Sequence, residues 1–400
     1  MTSDTAARPE GLIGRLVVAI GRRLVPQDLR GGLRLTLPSG QTFEIGFRNP
    51  GAHADLTLNN YSPVWSSIRR GAVGFSESYI TGGWDSSDIT ALLRFYLQNR
   101  HALDSAAKPV FFKSIGDRVW HLMRDNDREG ARRNISAHYD LGNEFYKLWL
   151  DPSMTYSSAY FGRGANALEE AQRDKYRAVL HAIKAEPGGH ILEIGCGWGG
   201  FAEEAVRAGH KVTGITISRE QHDYAVKRLE GTSAEIRMQD YRDTRGSFDG
   251  IASIEMIEAV GEGHWPDYFR TLRDRLKAGA SAAVQAITID EPFYPDYRSS
   301  ADFIQRYIFP GGMLPTRQIL REQAQAAGLG YEPVLTFGGD YARTLAQWLQ
   351  RFDAAWPRIA DLGFDETFRR RWRYYLTYCE AGFAERAIDV GIYRFTRPAG

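Results

Sequence analysis

The chain has 400 residues, 43% of them hydrophobic, which is enough for two domains or for one large α/β domain with an appendage. Its 50 lysines and arginines face 49 acidic residues, and a net charge of +1 argues against a dedicated nucleic-acid binder. The two cysteines, Cys196 and Cys379, argue against a disulfide scaffold, and nothing near them has the spacing of a metal site, so no metal is expected.

The first apolar stretch, residues 12–25, is interrupted by Arg15, Arg22 and Arg23 and is followed by no small-residue cleavage site. Neither a signal peptide nor a transmembrane helix is expected, and the chain reads as cytoplasmic. Ile13, Leu16, Val17, Ile20 and Leu24 share one helical face, with the arginines on the other. Such a helix either lies in a membrane interface or packs on its own domain.

Two alternating runs, at 33–37 and 42–47, flank Pro38-Ser39-Gly40-Gln41 and predict a hairpin. Helical patterns follow at 65–69 and 87–99. Residues 1–120 therefore read as a small α+β domain, residues 121–134 as a polar linker, and residues 135–400 as the main domain. From about 188 strands and helices alternate. Strands are expected at 190–194, 211–216, 234–238, 248–254 and 281–289, with helices at 200–208, 218–229 and 265–276. This order implies an α/β, Rossmann-like domain with a mostly parallel sheet covered on both faces. Near the C-terminus Phe368, Trp372, Tyr375 and Leu376 share a helical face and read as core. Arg369, Arg370, Arg371 and Arg373 on the same helix form either a solvated face or a contact for lipid phosphates.

The segment Ile191-Leu192-Glu193-Ile194-Gly195-Cys196-Gly197-Trp198-Gly199-Gly200 joins a buried strand to a helix through a glycine-rich turn. Glycines there let the backbone take positive φ angles and approach a ligand closely. A dinucleotide site usually places an acid after the second strand, but this one ends in Thr216. The spacing Glu193-x-Gly195-x-Gly197 resembles the first motif of class I S-adenosylmethionine methyltransferases. Asp240 and Tyr241, after the third strand, suit adenine, with a carboxylate for its amine and a ring for its face.

Further segments carry a more specific likeness. They are Asp140-Leu141-Gly142-Asn143-Glu144-Phe145-Tyr146, preceded by His138-Tyr139; Met154-Thr155-Tyr156-Ser157-Ser158-Ala159-Tyr160-Phe161; Gly214-Ile215-Thr216-Ile217-Ser218-Arg219-Glu220-Gln221; Met256-Ile257-Glu258-Ala259-Val260-Gly261; Arg306-Tyr307-Ile308-Phe309-Pro310-Gly311-Gly312; and Phe337-Gly338-Gly339-Asp340-Tyr341. Together they resemble the cyclopropane-fatty-acyl-phospholipid synthase family, which includes mycolic acid methyltransferases. The likeness runs from about 130 to 400. The N-terminal region is similar to the accessory domain of the phospholipid enzymes.

The resemblance implies S-adenosylmethionine contacts at Tyr156, Ser157, Gly195, Gly197, Thr216, Ile217, Gln221 and Tyr241, with Thr216 and Gln221 in place of the ribose acid. It also implies a bicarbonate ion as base, touching Ser158, Glu258, Gln285, Ile287 and Tyr341. Three positions depart from the family pattern: Ser158 stands for a usual cysteine, Gln285 for a histidine and Ala259 for a histidine. Glutamine hydrogen-bonds an anion but carries no proton.

The implied partner is a membrane phospholipid with an unsaturated acyl chain, met peripherally at the inner face of the cell membrane. A homodimer is compatible with this reading. Methyl transfer to an alkene leaves a carbocation, which rings and a placed negative charge stabilise. Tyr139, Tyr156, Tyr160, Tyr307, Tyr341 and Phe309 are the candidate rings, and Glu258 the candidate charge. Proton loss from the new methyl closes a cyclopropane, the leading expectation; loss from a neighbouring chain carbon leaves a methyl-branched alkene. Methylation of a soluble molecule on O or N, and a non-catalytic lipid-binding role, are the readings from other classes.

Overall fold

The structure, a computed structural model, describes residues 26, 28–107 and 141–400. The amphipathic stretch at 12–25, the linker at 121–134 and Tyr139 lie outside the described residues. Two compact units emerge, and both are discontinuous: residues 28–107 group with Phe364–Glu385, and residues 141–363 with Arg386–Gly400.

In the first unit, strands β1 (Arg30–Thr36) and β2 (Thr42–Gly46) form the expected hairpin, with Leu33 opposite Ile45 and Leu35 opposite Phe43. The turn closes where Leu37 N–H donates to the Gln41 carbonyl at 2.9 Å. Strand β3 (Asn49–Leu58) then runs parallel to β1 and antiparallel to the short β4 (Trp84–Asp85), completing the order β2-β1-β3-β4. Helices α1 (Ser62–Ile80) and α2 (Ile89–Ala107) follow the helical patterns. Trp84 is fully buried, its ring 4.5 Å from Phe75 and 4.7 Å from Tyr79.

The helix Glu366–Ala384 belongs to this unit. A division at 120–135 alone therefore leaves out a return of the chain. Trp372, Tyr375 and Leu376 are core, as their spacing predicts. Arg370 on the opposite side is neither solvated nor facing lipid. Its guanidinium donates to the carbonyls of Tyr79 (2.6 Å) and Trp84 (2.8 Å) and to Asp85 (2.8 Å), and lies 4.1 Å from the Tyr79 ring centre.

The second unit holds a seven-stranded sheet of order β10-β11-β9-β8-β5-β6-β7. Its strands are β5 (His190–Ile194), β6 (Lys211–Thr216), β7 (Ala234–Met238), β8 (Phe248–Ile254), β9 (Leu276–Ile289), β10 (Gly330–Thr336) and β11 (Ile388–Thr396). β7, β6, β5, β8 and β9 are mutually parallel, and β11 and β10 join antiparallel. The covering helices include α3 (Leu168–Ile183), α4 (Gly200–Arg207), α5 (Arg219–Arg228), α6 (Trp265–Arg275), α7 (Arg317–Ala326) and α8 (Gly338–Asp361). The chain leaves β5 in one direction for β6 and β7, then returns to its other side for β8 and β9. Open α/β sheets bind ligands at such a switch point, beyond the carboxyl ends of the strands. Among the described residues no helix is long and apolar enough to cross a membrane.

Arg370 should be the anchor of the returning helix. Arg370→Ala removes the guanidinium from the Trp84 carbonyl, from the Tyr79 carbonyl that Gly82 N–H also holds, and from the half-exposed Asp85, and should cost about 1–3 kcal/mol of stability in this unit. Arg370→Lys, which lacks the planar fork, should recover only part of it. Hydrogen exchange should show faster opening of 366–384 in both variants; unchanged protection would remove Arg370 from this role.

Candidate active site

The glycine-rich turn sits at the carboxyl end of β5. Gly195 and Gly197 have φ of 79° and 52°, and a side chain at Gly197 would meet no protein atom within 4 Å. The turn is pinned from the neighbouring strand, where the N–H groups of Gly195 and Cys196 both donate to the Ile215 carbonyl. Glu193 is 2% exposed, and its Oε2 has no partner among the described residues. Burial pushes its carboxyl up to about 8 against the pull of Lys175 and Arg228. An unpartnered carboxylate oxygen beside open backbone fits a ligand that carries a cationic amine.

At the end of β6 the Thr216 hydroxyl donates to the Gln221 side-chain oxygen at 3.0 Å and accepts from Ser218 N–H. These two polar groups stand where a ribose acid would stand, and Ile217 lies between them, half-buried. Tyr241 follows β7, edge-on to Tyr268 at 5.7 Å. Asp240 is engaged locally: its carboxylate caps the next turn and receives the Arg242 fork at 2.9 and 2.7 Å. Tyr156 packs among Tyr146, Trp149 and Trp348 at 5.3–5.6 Å, and Trp348 meets the Tyr341 ring edge-on at 6.1 Å. Tyr156, Trp348 and Tyr341 thus form one aromatic wall. Tyr160 packs on Phe337 and Tyr307 on Phe303, in separate contacts.

Three of the five residues expected around bicarbonate, Ser158, Gln285 and Tyr341, converge on a side chain absent from that expectation, and the other two, Glu258 and Ile287, bond each other. Glu255 is the first residue after β8. Its Oε1 accepts from Ser158 N–H (2.9 Å) and the Gln285 amide (2.7 Å), and its Oε2 from the Tyr341 hydroxyl (2.7 Å). The remaining expected donor, Ile287 N–H, bonds Glu258 Oε1 at 2.5 Å. Ser158 turns its hydroxyl to the Ala159 carbonyl, so only its N–H points into the cluster. The donors implied for bicarbonate are therefore satisfied by two protein carboxylates. A separate anion does not fit this arrangement.

The two carboxylates differ. Burial holds the Glu255 carboxyl above its ordinary value, and its three donors and the nearby Lys175 pull the other way. Glu258 receives only backbone donors, the Ile287 N–H and its own, and its Oε2 has no partner among the described residues. Burial first, and then the charge of Glu255, push Glu258 up to about 8. Both side chains sit deep in the unit yet keep some accessible surface, as groups facing a binding cavity do.

Lys175 was also passed over. It is fully buried on α3 and donates to the Ser157 hydroxyl at 2.6 Å, while Gln172 one turn earlier donates to the Ser157 carbonyl at 2.9 Å. Burial lowers the Lys175 ammonium to about 8, against the attraction of Glu255, Asp151 and Glu193. A signal existed: Gln172 and Lys175 share the apolar face of α3 with Leu168, Ala171, Val179 and Ala182, all buried.

A family model described as mycolic acid cyclopropane synthetase matches residues 126–392. A tuberculostearic acid methyltransferase of Mycobacterium tuberculosis is 38% identical over 96% of this chain and 92% of its own length. A cyclopropane-fatty-acyl-phospholipid synthase of Escherichia coli is 35% identical over 87% of this chain and 89% of its own. Among solved structures, a mycolic acid cyclopropane synthase complexed with SAH and CTAB aligns with a TM-score of 0.61 at 29% identity, covering 66% of this chain and 98% of that one.

Two outcomes follow from this geometry. Gly197→Ala adds a methyl group that meets no protein atom, though at a φ of 52° that strains a side chain. A loss of S-adenosylmethionine affinity of at least about tenfold, about 1.4 kcal/mol, with unchanged thermal stability of the ligand-free protein therefore places the cofactor on this turn. Calorimetry reads it, and an unchanged Kd in the folded variant places the cofactor elsewhere.

Glu258, raised from 4.5 to about 8 in the folded protein, binds a proton more tightly there than in the unfolded chain. Its contribution favours folding below pH 4.5 and declines as pH rises toward 8. Glu258→Gln should therefore gain stability over the parent by about 1–3 kcal/mol at pH 8.5 and lose that advantage near pH 5, read by unfolding of the ligand-free protein. A pH-independent difference would show that Glu258 is ionised throughout.

Proposed function

Because the chain belongs to the mycolic acid cyclopropane synthetase family, and so is an S-adenosylmethionine-dependent methyltransferase of lipid acyl chains, we propose that it acts on the cis double bond of an unsaturated chain in a membrane phospholipid and forms a cyclopropane ring. The observation that carries this reading is the Glu255–Glu258 pair beside the aromatic wall of Tyr156, Trp348 and Tyr341. S-adenosylmethionine, when bound, supplies an electrophilic methyl group. A methyl acceptor of the O or N type needs one proton removed and little else. An alkene acceptor needs cation stabilisation by π faces and negative charge in a site that keeps water away, and these residues offer both.

The phospholipid is supported by extent. The Escherichia coli phospholipid enzyme matches 87% of this chain, while a methoxy mycolic acid synthase matches 64%. The first unit also exposes two large aromatic side chains, Phe47 and Trp65, of the kind that settle at a lipid–water boundary. Peripheral contact with the inner face of the cell membrane is part of the proposal.

A second reading is methyl branching without ring closure. The 38% identical relative is named for tuberculostearic acid, and Glu255 provides a base whose position differs from that of a free ion.

The lipid product separates the readings. Purified protein with S-adenosylmethionine and vesicles of an unsaturated phospholipid should yield a chain one CH₂ heavier. Proton NMR should show the upfield methylene of a cyclopropane, resistant to mild hydrogenation. An olefinic product that takes up hydrogen favours branching. Methylation of free fatty acid but not of vesicles overturns the phospholipid assignment.

A further inference from the structure

We infer that Glu255 is the built-in general base of this site, standing where a bicarbonate ion would otherwise be bound. The inference rests on the lipid methyltransferase reading and adds to it the residue that takes the proton. The backbone at Glu255 has φ of 51°, in the left-handed region that favours glycine. A glutamate held there is strained, and such strain persists only when surrounding bonds over-determine it. Those bonds are present: Glu255 N–H donates to the Gln285 carbonyl at 2.8 Å, and three donors converge on the carboxylate.

Three donors converge on the two oxygens, and two of them, the Ser158 N–H and the Gln285 amide, face the carboxyl as donors, so the arrangement favours the ionised form, which is the form that can accept a proton, against the upward pull of burial. Its neighbour Glu258 is disposed the other way, with no side-chain donor and an unpartnered oxygen. The two carboxyls thus divide into one base and one neutral acid. Adding bicarbonate would place another anion beside them and take Ser158, Gln285 and Tyr341 away from Glu255.

The step balances within the chain and the lipid. After methyl transfer the acyl chain carries a cation on the carbon next to the methylated one. Glu255 removes a proton from the new methyl, and the C–H electron pair becomes the C–C bond that closes the ring. The carboxylate becomes a carboxylic acid, later deprotonated by solvent. Gln285, Ser158 and Tyr341 act as positioning residues for Glu255.

The test compares wild type, Glu255→Gln and Glu255→Gly in carbonate-free buffer, with and without added bicarbonate, following lipid methylation and binding of ¹³C-bicarbonate by NMR. Wild type should turn over equally in both buffers and bind no bicarbonate. Glu255→Gln should lose on the order of 100-fold in turnover and stay low. Glu255→Gly opens a carboxylate-sized space among the same donors, so it should bind bicarbonate and regain roughly tenfold in turnover on its addition. S-adenosylmethionine affinity should fall far less than turnover in both variants, because loosened walls weaken the cofactor site while loss of the base stops the chemistry. A wild type that binds bicarbonate or needs it overturns the inference, as does near-normal turnover of Glu255→Gln. If wild type methylates no lipid, the functional reading fails instead, and the bicarbonate-binding comparison still decides the fate of Glu255.

Discussion

A carboxylate can stay charged inside a protein only if its oxygens are hydrogen-bonded and its charge is answered nearby. Glu255 meets both conditions, and meeting them organises the second unit. Its partners come from three separate places: the loop before α3 through Ser158, the strand β9 through Gln285, and the helix α8 through Tyr341. The same loop is held by the start of α8 at two further points, where Phe161 N–H donates to Asp340 and Ala159 N–H to Thr344. The walls of the site are therefore positioned by the polar group they enclose. Removing that group's charge would loosen the walls as well as the chemistry, which is why a cofactor-binding measurement belongs beside any turnover measurement on Glu255.

The buried charges form one balanced set. Lys175 is the cation among Glu255, Glu193 and Asp151, and its ammonium anchors Ser157. With one cation among several carboxyls, full ionisation of every acid is costly, and the least supported ones keep a proton. Glu193 and Glu258, both pushed up to about 8, are those acids. Lys175 thus links the cofactor side of the site, through Ser157 and Glu193, to the proton-accepting side at Glu255.

What was legible in the sequence follows from what leaves a local signature. The strands at 190–194, 211–216, 234–238 and 248–254 have the expected bounds because each is a short run, mainly apolar or, at 234–238, alternating apolar and charged, closed by a turn. β3 was not read, because Asn49-Pro50-Gly51 and Asp55 are poor strand formers and its pairing with β1 is made through tertiary contact. The return of residues 364–385 to the first unit is likewise non-local, and Arg370, which reads as a surface charge, is what holds it. Ser158, Glu258, Gln285, Ile287 and Tyr341 were found through resemblance; Ser158, Gln285 and Tyr341 converge on Glu255, and Glu258 and Ile287 bond each other. Glu255 was passed over because a glutamate after a strand looks like an ordinary turn residue; its left-handed backbone is visible only in three dimensions.

The departure at Gln285 gains a physical explanation from this arrangement. Read alone, it looks like a weakened anion site, since histidine can carry a proton and glutamine cannot. Opposite a fixed carboxylate the requirement changes. A histidine at 285 would share its proton with Glu255 and blunt it as a base, or present a lone pair to it and repel it. The glutamine amide offers a donor that never titrates, and the backbone N–H of residue 158 offers another. Two of the three donors thus have no protonation equilibrium of their own, and the third, the Tyr341 hydroxyl, is a phenol, which ionises only far above neutral pH, so near neutrality the proton affinity stays on Glu255. Positions 255 and 285 therefore act as a unit: with glutamate at 255, a donor without its own protonation equilibrium is the consistent partner at 285, while residue 158 contributes through its backbone N–H, which serine and cysteine share.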